Sequence, residues 1–425
     1  MTSTATQGAE PILLAFSGGL DTSFCVPWLK DTYGRPVITV TVDTGGIDAG
    51  AARSLAERSA QLGAVEHHLI DARSAYFEQV LKYLIMGNVR RGGAYPLCVG
   101  AERVLQAQTI AQMALSLKTK MVAHGCTAAG NDQVRFEVAL RTLAPDLDII
   151  APVRDRAFKR PEQLKYLEDH GLPIPPFGAA YSVNRGLWGV TIGGKETLTS
   201  EDSIPDDAWL LSKDAYAGAG LPGAGPPAPR AAERHTLGFD AGIPVSLDEA
   251  ALSPVAIIEK LEALAGPFGI GRGIHLGDTV IGTKGRVAFE APAAEVLLTA
   301  HRELEKLVMT GKQARIKDSV AQPYGDLVHE GQHLDPVCRD IEALLVSSQA
   351  RVTGVVKVLF RPGSIFVEGV TSPYSLMAAS KGVYGESAGE WTPTDALGYS
   401  KMLALTGVFY QRAGVNGTAA KGHRS

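Results

Sequence analysis

An apolar run, ILLAF at 12–16, breaks directly into SGGLDTS at 17–23, and a helix-like stretch follows to Lys30. A strand feeding a glycine-rich turn and then a helix is compatible with few architectures. Gly18 and Gly19 let the backbone turn tightly and aim its N–H groups at one point. The helix N-terminus adds partial positive charge there, and Ser17, Thr22 and Ser23 supply further donors. The loop therefore reads as a cradle for phosphate or pyrophosphate. A generic strand-to-helix turn would explain one glycine and a cap, but not two glycines flanked by hydroxyls. No Lys follows the glycines, which separates it from a Walker A loop.

The same rhythm continues through VITVTVD (37–43), AARSLAERSAQLG, VEHHLI, YFEQVLKYLI, a helical region over 101–117, MVAHG (121–125), a helix from Asn131, and DIIAPV (148–153). Such alternation predicts a doubly wound parallel α/β sheet, an N-terminal nucleotide-binding domain over 11–171 that ends at the proline-rich break LPIPPFG. Past it, YSVNRGLWGVTIGG reads as strand and turn, and the Ala, Gly and Pro stretch at 215–232 as a loop or insertion. Short β-like segments (HTLGF, GIPVSL, DTVIGTKGRVAFEAP) interrupted by helical VAIIEKLEAL and LLTAHRELEKLVM predict a second, α+β domain over 172–385. Within it VKVLFRPGSIFVEGV is a hairpin candidate. The stretch TDALGYSKMLALTGVFYQR, in 386–413, predicts a C-terminal helix capped by Thr394 or Asp395. Leu397, Leu403, Leu405, Val408 and Phe409 would form its apolar stripe. Residues 1–10 and 414–425 read as disordered tails.

Composition narrows the partners. With 41 Lys and Arg against 45 Asp and Glu, a net charge of −4 offers no general attraction to nucleic acid or anionic membrane. No run of 18 apolar residues occurs, and MTSTATQGAE lacks the blocks of a signal peptide, so a cytoplasmic protein is expected. Cys25, Cys98, Cys126 and Cys338 are widely spaced and read as buried free thiols.

Further motifs differ in weight. GAGLPG (218–223) has no strand before it, and in GVTIGGKE (189–196) Glu196 stands where a magnesium-binding hydroxyl is needed; both read as chance. HEGQH (329–333) spells a zinc-hydrolase string, but Gly331 within it and Pro336 beyond it oppose the helix that would align both imidazoles. It reads as a surface turn, and no metal site is expected. AHGCTAAGNDQVRFE (123–137) is stronger: Thr127, Asn131, Asp132 and Arg135 stand at a strand end leading into a helix, where strands of an open sheet converge on a crevice. Asp132 can pair with an ammonium and Arg135 with a carboxylate, as an amino-acid substrate requires. Asp43 either faces a nucleotide or caps a turn.

Taken together, AFSGGLDTS, HGCTAAGNDQVRFE, YSVNRGLWGVT, LSPVAIIEKL with GIGRG, IGTKGRVAFEAP, SPYSL and PTDALGY resemble the argininosuccinate synthase family along nearly the whole chain. The SGGLDT loop is similar to that of the ATP pyrophosphatase superfamily. The resemblance implies an ATP-dependent ligase of arginine biosynthesis, using ATP with Mg, that joins citrulline and aspartate through a citrullyl-adenylate. It implies ATP contacts at Ala15, Phe16, Ser17, Gly18, Gly19, Leu20, Asp21, Thr22, Ser23, Val42 and Gly125. Aspartate would lie on Thr127, Asn131 and Asp132, and citrulline on Tyr95, Asn131, Arg135, Ser182 and Thr191. Ser17, Asp132 and Arg135 would position the reactants and stabilise charge, and no general base is evident. A homotetramer embraced by C-terminal helices is implied as well. Three positions that touch citrulline in the family differ: Gly100 replaces a Ser, Gly277 a Glu and Phe289 a Tyr. Asp278 would take over from the missing Glu only if a bulge turned it inward. Another adenylating enzyme with this loop, or a non-catalytic ATP- or citrulline-binding paralogue, is the alternative reading.

Overall fold

A computed structural model describes residues 10–128, 130–174, 181–215, 231–380 and 390–421. GAGLPG and most of the 215–232 stretch fall outside them, as do residues 1–9 and 422–425. The chain divides into two compact units, the second beginning at Tyr374.

The first unit is built on three sheets. β1 (Ile12–Ala15), β2 (Val37–Asp43), β3 (Glu66–Asp71), β4 (Met121–Ala123) and β5 (Asp148–Ile150) form a parallel sheet in the order β3-β2-β1-β4-β5. Every residue of β2 is buried, as expected of a β-branched strand covered on both faces. The doubly wound expectation therefore holds. From β1 the chain crosses to β2 on one side, and only later to β4 on the other. Order reverses at β1, and the crevice of an open α/β sheet lies at the carboxyl ends there.

Two antiparallel sheets follow. β6 (Ser182–Gly186), β7 (Gly189–Gly193), β11 (Arg272–Asp278) and β12 (Lys284–Glu290) run in the order β11-β12-β7-β6. β8 (Glu233–Asp240), β9 (Ile243–Leu247), β10 (Ala250–Ala251), β13 (Gly354–Arg361) and β14 (Ser364–Thr371) run β10-β9-β8-β13-β14. The expected hairpin is β13–β14, closed by Pro362 and Gly363 with Gly363 at φ +73°. Helix Pro292–Val308 packs its buried apolar face on β13, β14 and helix Pro254–Ala265. Helix Gly311–Glu330 contributes a buried Lys317, whose ammonium lies 2.8 and 2.6 Å from the Glu305 carboxylate and donates to the Met86 carbonyl at 3.0 Å. The charge is tolerated inside because both partners are satisfied.

The parallel sheet meets the β6–β7 hairpin at the turn after β2. Leu187 N donates to Thr44 O at 2.9 Å, and a Cβ on Gly45 would stand 2.4 Å from Leu187 N. Gly45 has φ +111°, so both conformation and space require glycine.

In the second unit a helix spans Pro393–Lys421. Its start differs from the expected cap. The Asp395 amide donates to Thr392 Oγ1 at 3.3 Å, and the Thr392 amide donates back to the Asp395 carboxylate at 2.8 Å, so Thr392 is the cap. The helix also continues past 413. Leu397, Tyr399, Met402, Leu403, Val408, Phe409 and Tyr410 are all exposed. At 100° per residue they spread around the helix instead of forming the expected single stripe.

Candidate active site

The SGGLDTS loop lies at the carboxyl end of β1, where strand order reverses. Gly18 takes φ +72°, its carbonyl accepts from Arg58 Nη1 at 3.0 Å, and no side chain caps helix Leu20–Tyr33. An uncapped N-terminus beside turned backbone is a ready anion site. Residues 15–22 line a cavity of about 940 Å³ together with Val42 and Gly125. Ser23 stands behind the loop, fully buried, and donates to the Gly18 carbonyl at 3.4 Å. Asp43 does not line the cavity; it accepts from the Gly45 amide at 2.8 Å and so caps the turn after β2.

A second cavity of about 510 Å³ adjoins the first. Asp21, Gly125, Cys126, Asp132, Ser182 and Asn184 line both. Tyr95, Thr127, Asn131, Arg135, Thr191 and Asp278 line the second, so the residues expected to hold two amino acids come together. One face of the antiparallel sheet forms its wall. Ser182 and Asn184 on β6, Thr191 and Gly193 on β7, Gly285 and Val287 on β12, and His275 and Gly277 on β11 all face it at a two-residue period. Asn131 Oδ1 accepts from the Val280 amide at 2.9 Å, tying the start of helix Asn131–Leu143 to the β11–β12 turn.

Alternating charges join the cavities. Thr44 Oγ1 donates to Glu102 at 2.7 Å, and Arg103 reaches Glu102 at 2.8 Å and Asp132 at 2.9 Å. Arg135 donates to Asp132 at 2.7 Å, and through Nε to the His329 carbonyl at 2.7 Å. Burial works to raise the Asp132 pKa, but the two guanidiniums outweigh it and hold the carboxyl at about 2. Asp132 is thus an anion at any working pH. Arg135 Nη2 also donates to His329 Nδ1 at 3.1 Å. Burial, then the charges of Arg135 and Arg91, push His329 down to about 3, so its ring is neutral and carries its proton on Nε2.

Burial pushes the Glu102 carboxyl up to about 7, against the opposing pull of Arg103 and Thr44. Glu102 lines the larger cavity. Below pH 7 it is neutral, and above pH 7 it places a negative charge in the cavity that the glycine loop also lines. KM for the ATP that the sequence resemblance implies should therefore rise as pH passes upward through about 7. In Glu102→Gln that rise should vanish from KM profiles measured between pH 5.5 and 8.5. An unchanged profile would assign the inflection to another group.

Three expectations need correction. HEGQH is not a surface turn: His329 and His333 are both buried. Helix Gly311–Glu330 ends inside the string, Gly331 at φ +79° is its cap, and His333 Nε2 lies 3.0 Å from Glu342, in a cluster away from His329. The glycine does keep one helix from running through the string, as expected, but it packs against Arg135, whose Cα would lie 2.8 Å from a Cβ at Gly331. Second, β11 pairs with β12 without a bulge through Gly277 and Asp278. Gly277 therefore shares the cavity-facing row with His275, while the Asp278 carboxylate pairs with Lys284 at 2.5 Å. Third, the cysteines are free and Cys25, Cys98 and Cys338 are buried, but Cys126 is only partly so and lines both cavities. Sequence reading missed Arg91, Glu102, Arg103, His275 and His329, because no local pattern announces side chains delivered from separate elements.

A reversing parallel sheet with an anion loop at its switch point, opening into a polar cavity walled by a second sheet, defines a HUP-type nucleotide enzyme. Residues 11–173 match the family model described as Arginosuccinate synthase N-terminal HUP domain. Residues 181–410 match that described as Arginosuccinate synthase C-terminal domain, and the chain belongs to the argininosuccinate synthase family. It is 40% identical over 411 residues to the argininosuccinate synthase of Xanthomonas campestris, covering 95% of this chain and 99% of that one. The argininosuccinate synthases of Pyrobaculum aerophilum and Methanocaldococcus jannaschii are 38% and 36% identical, each over 94% of this chain and 98% and 97% of theirs.

Proposed function

We propose that the chain is an ATP-dependent, AMP-forming carbon–nitrogen ligase that joins a citrulline-type ureido acceptor to aspartate. The observation that carries this reading is the continuity of the two cavities through Asp21, Gly125 and Asp132. A nucleotide on the loop would present its α-phosphorus to an acceptor on the antiparallel wall. A ureido carbon is a poor electrophile until its oxygen becomes a leaving group. The ureido oxygen attacks the α-phosphorus and pyrophosphate departs; the aspartate amine then attacks the ureido carbon, and AMP leaves with that oxygen. One proton is released overall.

For these steps the chain supplies position and charge. The residue 15–22 loop would hold the phosphates, with magnesium arriving on them. Asp132 would receive the aspartate ammonium, with Thr127 and Asn131 beside it. Tyr95, Arg135, Ser182 and Thr191 would orient the acceptor. We read the protein as cytoplasmic, with no nucleic-acid or membrane partner; among the described residues no helix is long and apolar enough to cross a membrane. The exposed apolar side chains of helix Pro393–Lys421 support assembly into a homotetramer. Light scattering should give a mass several times 44.9 kDa, and a monomer would overturn that assembly.

The reaction is tested by measuring pyrophosphate release from Mg-ATP with acceptor and aspartate omitted in turn. Release requiring an acceptor, and sustained turnover requiring aspartate, are the expected result. ATP binding without release from any ureido acceptor would replace the ligase with a nucleotide-binding paralogue.

A further inference from the structure

The far end of the second cavity, away from the nucleotide loop, has a charge pattern that selects its ligand. Its carboxylates are committed: Asp278 to Lys284, and Asp132 to Arg103, Arg135 and, on the reading above, the ammonium of aspartate. Asp21 lies at the opposite end, on the loop. The cations there keep unused donors. Arg135 spends one N–H each from Nε, Nη1 and Nη2 on Asp132 and His329, and a guanidinium has five. Gly100 leaves a side chain's space beside the buried guanidinium, since a Cβ there would stand 3.0 Å from Nη2.

Two neutral imidazoles complete the wall. His275 stacks on the Tyr95 ring at 5.5 Å, occupying space over Gly277, where a Cβ would meet Nε2 at 2.5 Å. His329, 6% exposed, also faces this cavity. His275 Nε2 has no hydrogen-bond partner among the described residues, while His329 reaches toward the Asp278 backbone carbonyl. Buried polar nitrogens without partners are uncommon unless a ligand completes them. Burial and Arg91 lower the His275 pKa, so neither ring adds charge of its own. The end thus offers a carboxylate the Arg135 guanidinium, and a neutral polar group the unpartnered His275 nitrogen. It offers an ammonium no free anion.

We propose that the acceptor is a ureido acid whose α-nitrogen carries no positive charge, an N-acylated or deaminated relative of citrulline, its carboxylate received by Arg135. This rests on the ligase reading above and narrows it. An α-ammonium placed here would be desolvated beside Arg135 and Arg91 without a partner, and such a mismatch costs on the order of tenfold or more in affinity.

Pyrophosphate release by the full-length protein, with Mg-ATP and aspartate, is compared for citrulline, N-acetylcitrulline and 5-ureidopentanoate. At least one of the two uncharged-nitrogen acceptors is expected to exceed citrulline in kcat/KM by at least about tenfold. Equal rates, or a preference for citrulline, would overturn the inference and leave the ligase intact. Silence with all three acceptors would overturn the ligase reading, and this inference with it. Gly277→Glu combined with His275→Ala puts a carboxylate on the cavity-facing row and removes the ring in its way. That variant should move the ratio toward citrulline by at least about tenfold, with KM for ATP unchanged. A folded variant with an unmoved ratio would show that this wall does not read the α-nitrogen.

Discussion

Arg135→Lys is expected to lower kcat/KM for the acceptor by about 10²–10³-fold, while KM for ATP stays within a factor of about two. Arg135 makes three directed contacts, to Asp132, the His329 carbonyl and His329 Nδ1. Lysine keeps the charge but cannot supply a planar fork to all three and a substrate carboxylate besides. The nucleotide loop is held separately by Arg58 and by its own backbone, so nucleotide affinity should be spared. Initial rates varying acceptor and ATP independently read this split. A parallel rise in both KM values would mean that Arg135 supports the whole crevice instead of the acceptor end.

Gly45→Ala is expected to cost at least about 3 kcal/mol of unfolding free energy, from left-handed backbone strain and overpacking together. The added methyl would meet the Leu187 backbone, and neither β2 nor the β6–β7 hairpin can shift without breaking the Thr44–Leu187 hydrogen bond. Gly34→Ala is the control: Gly34 also has positive φ, +61°, but a Cβ there meets nothing within 4 Å. It should lose only about 1 kcal/mol. Urea unfolding of the two variants separates them. Equal losses would show that the Gly45 contact with the hairpin is not tight enough to matter.

The nucleotide half was legible in the sequence because its signals are local. ILLAF, the glycines and the following helix are contiguous, and a parallel sheet puts such loops at one edge whatever surrounds them. The acceptor half was legible only in part. Asn131 and Arg135 were readable from their place at a strand end, Tyr95, Ser182 and Thr191 only from resemblance, and all five do converge. What lay beyond reach was facing: whether Gly277 or Asp278 points inward depends on the register of β11 against β12, which a single strand does not encode. HEGQH shows the same limit. Gly331 did predict that no helix runs through the string, but whether the break meets water or Arg135 is decided by helix Asn131–Leu143, far earlier in the chain. The C-terminal helix was legible in position and misread in pattern, since its apolar residues surround it and do not form a stripe.

The cap of helix Gly311–Glu330 against Arg135 also orders events in time. The His329 carbonyl that orients Arg135 lies 194 residues downstream of it. At about 5–20 residues per second, a ribosome needs roughly 10–40 s to make that stretch. Throughout that interval the nascent chain already carries the strand, the glycine loop and Gly125. Arg135, which we propose for the acceptor end, still has no carbonyl to point it. The growing protein therefore passes through a stage in which a nucleotide site can exist before anything in it can distinguish what the nucleotide is meant to activate.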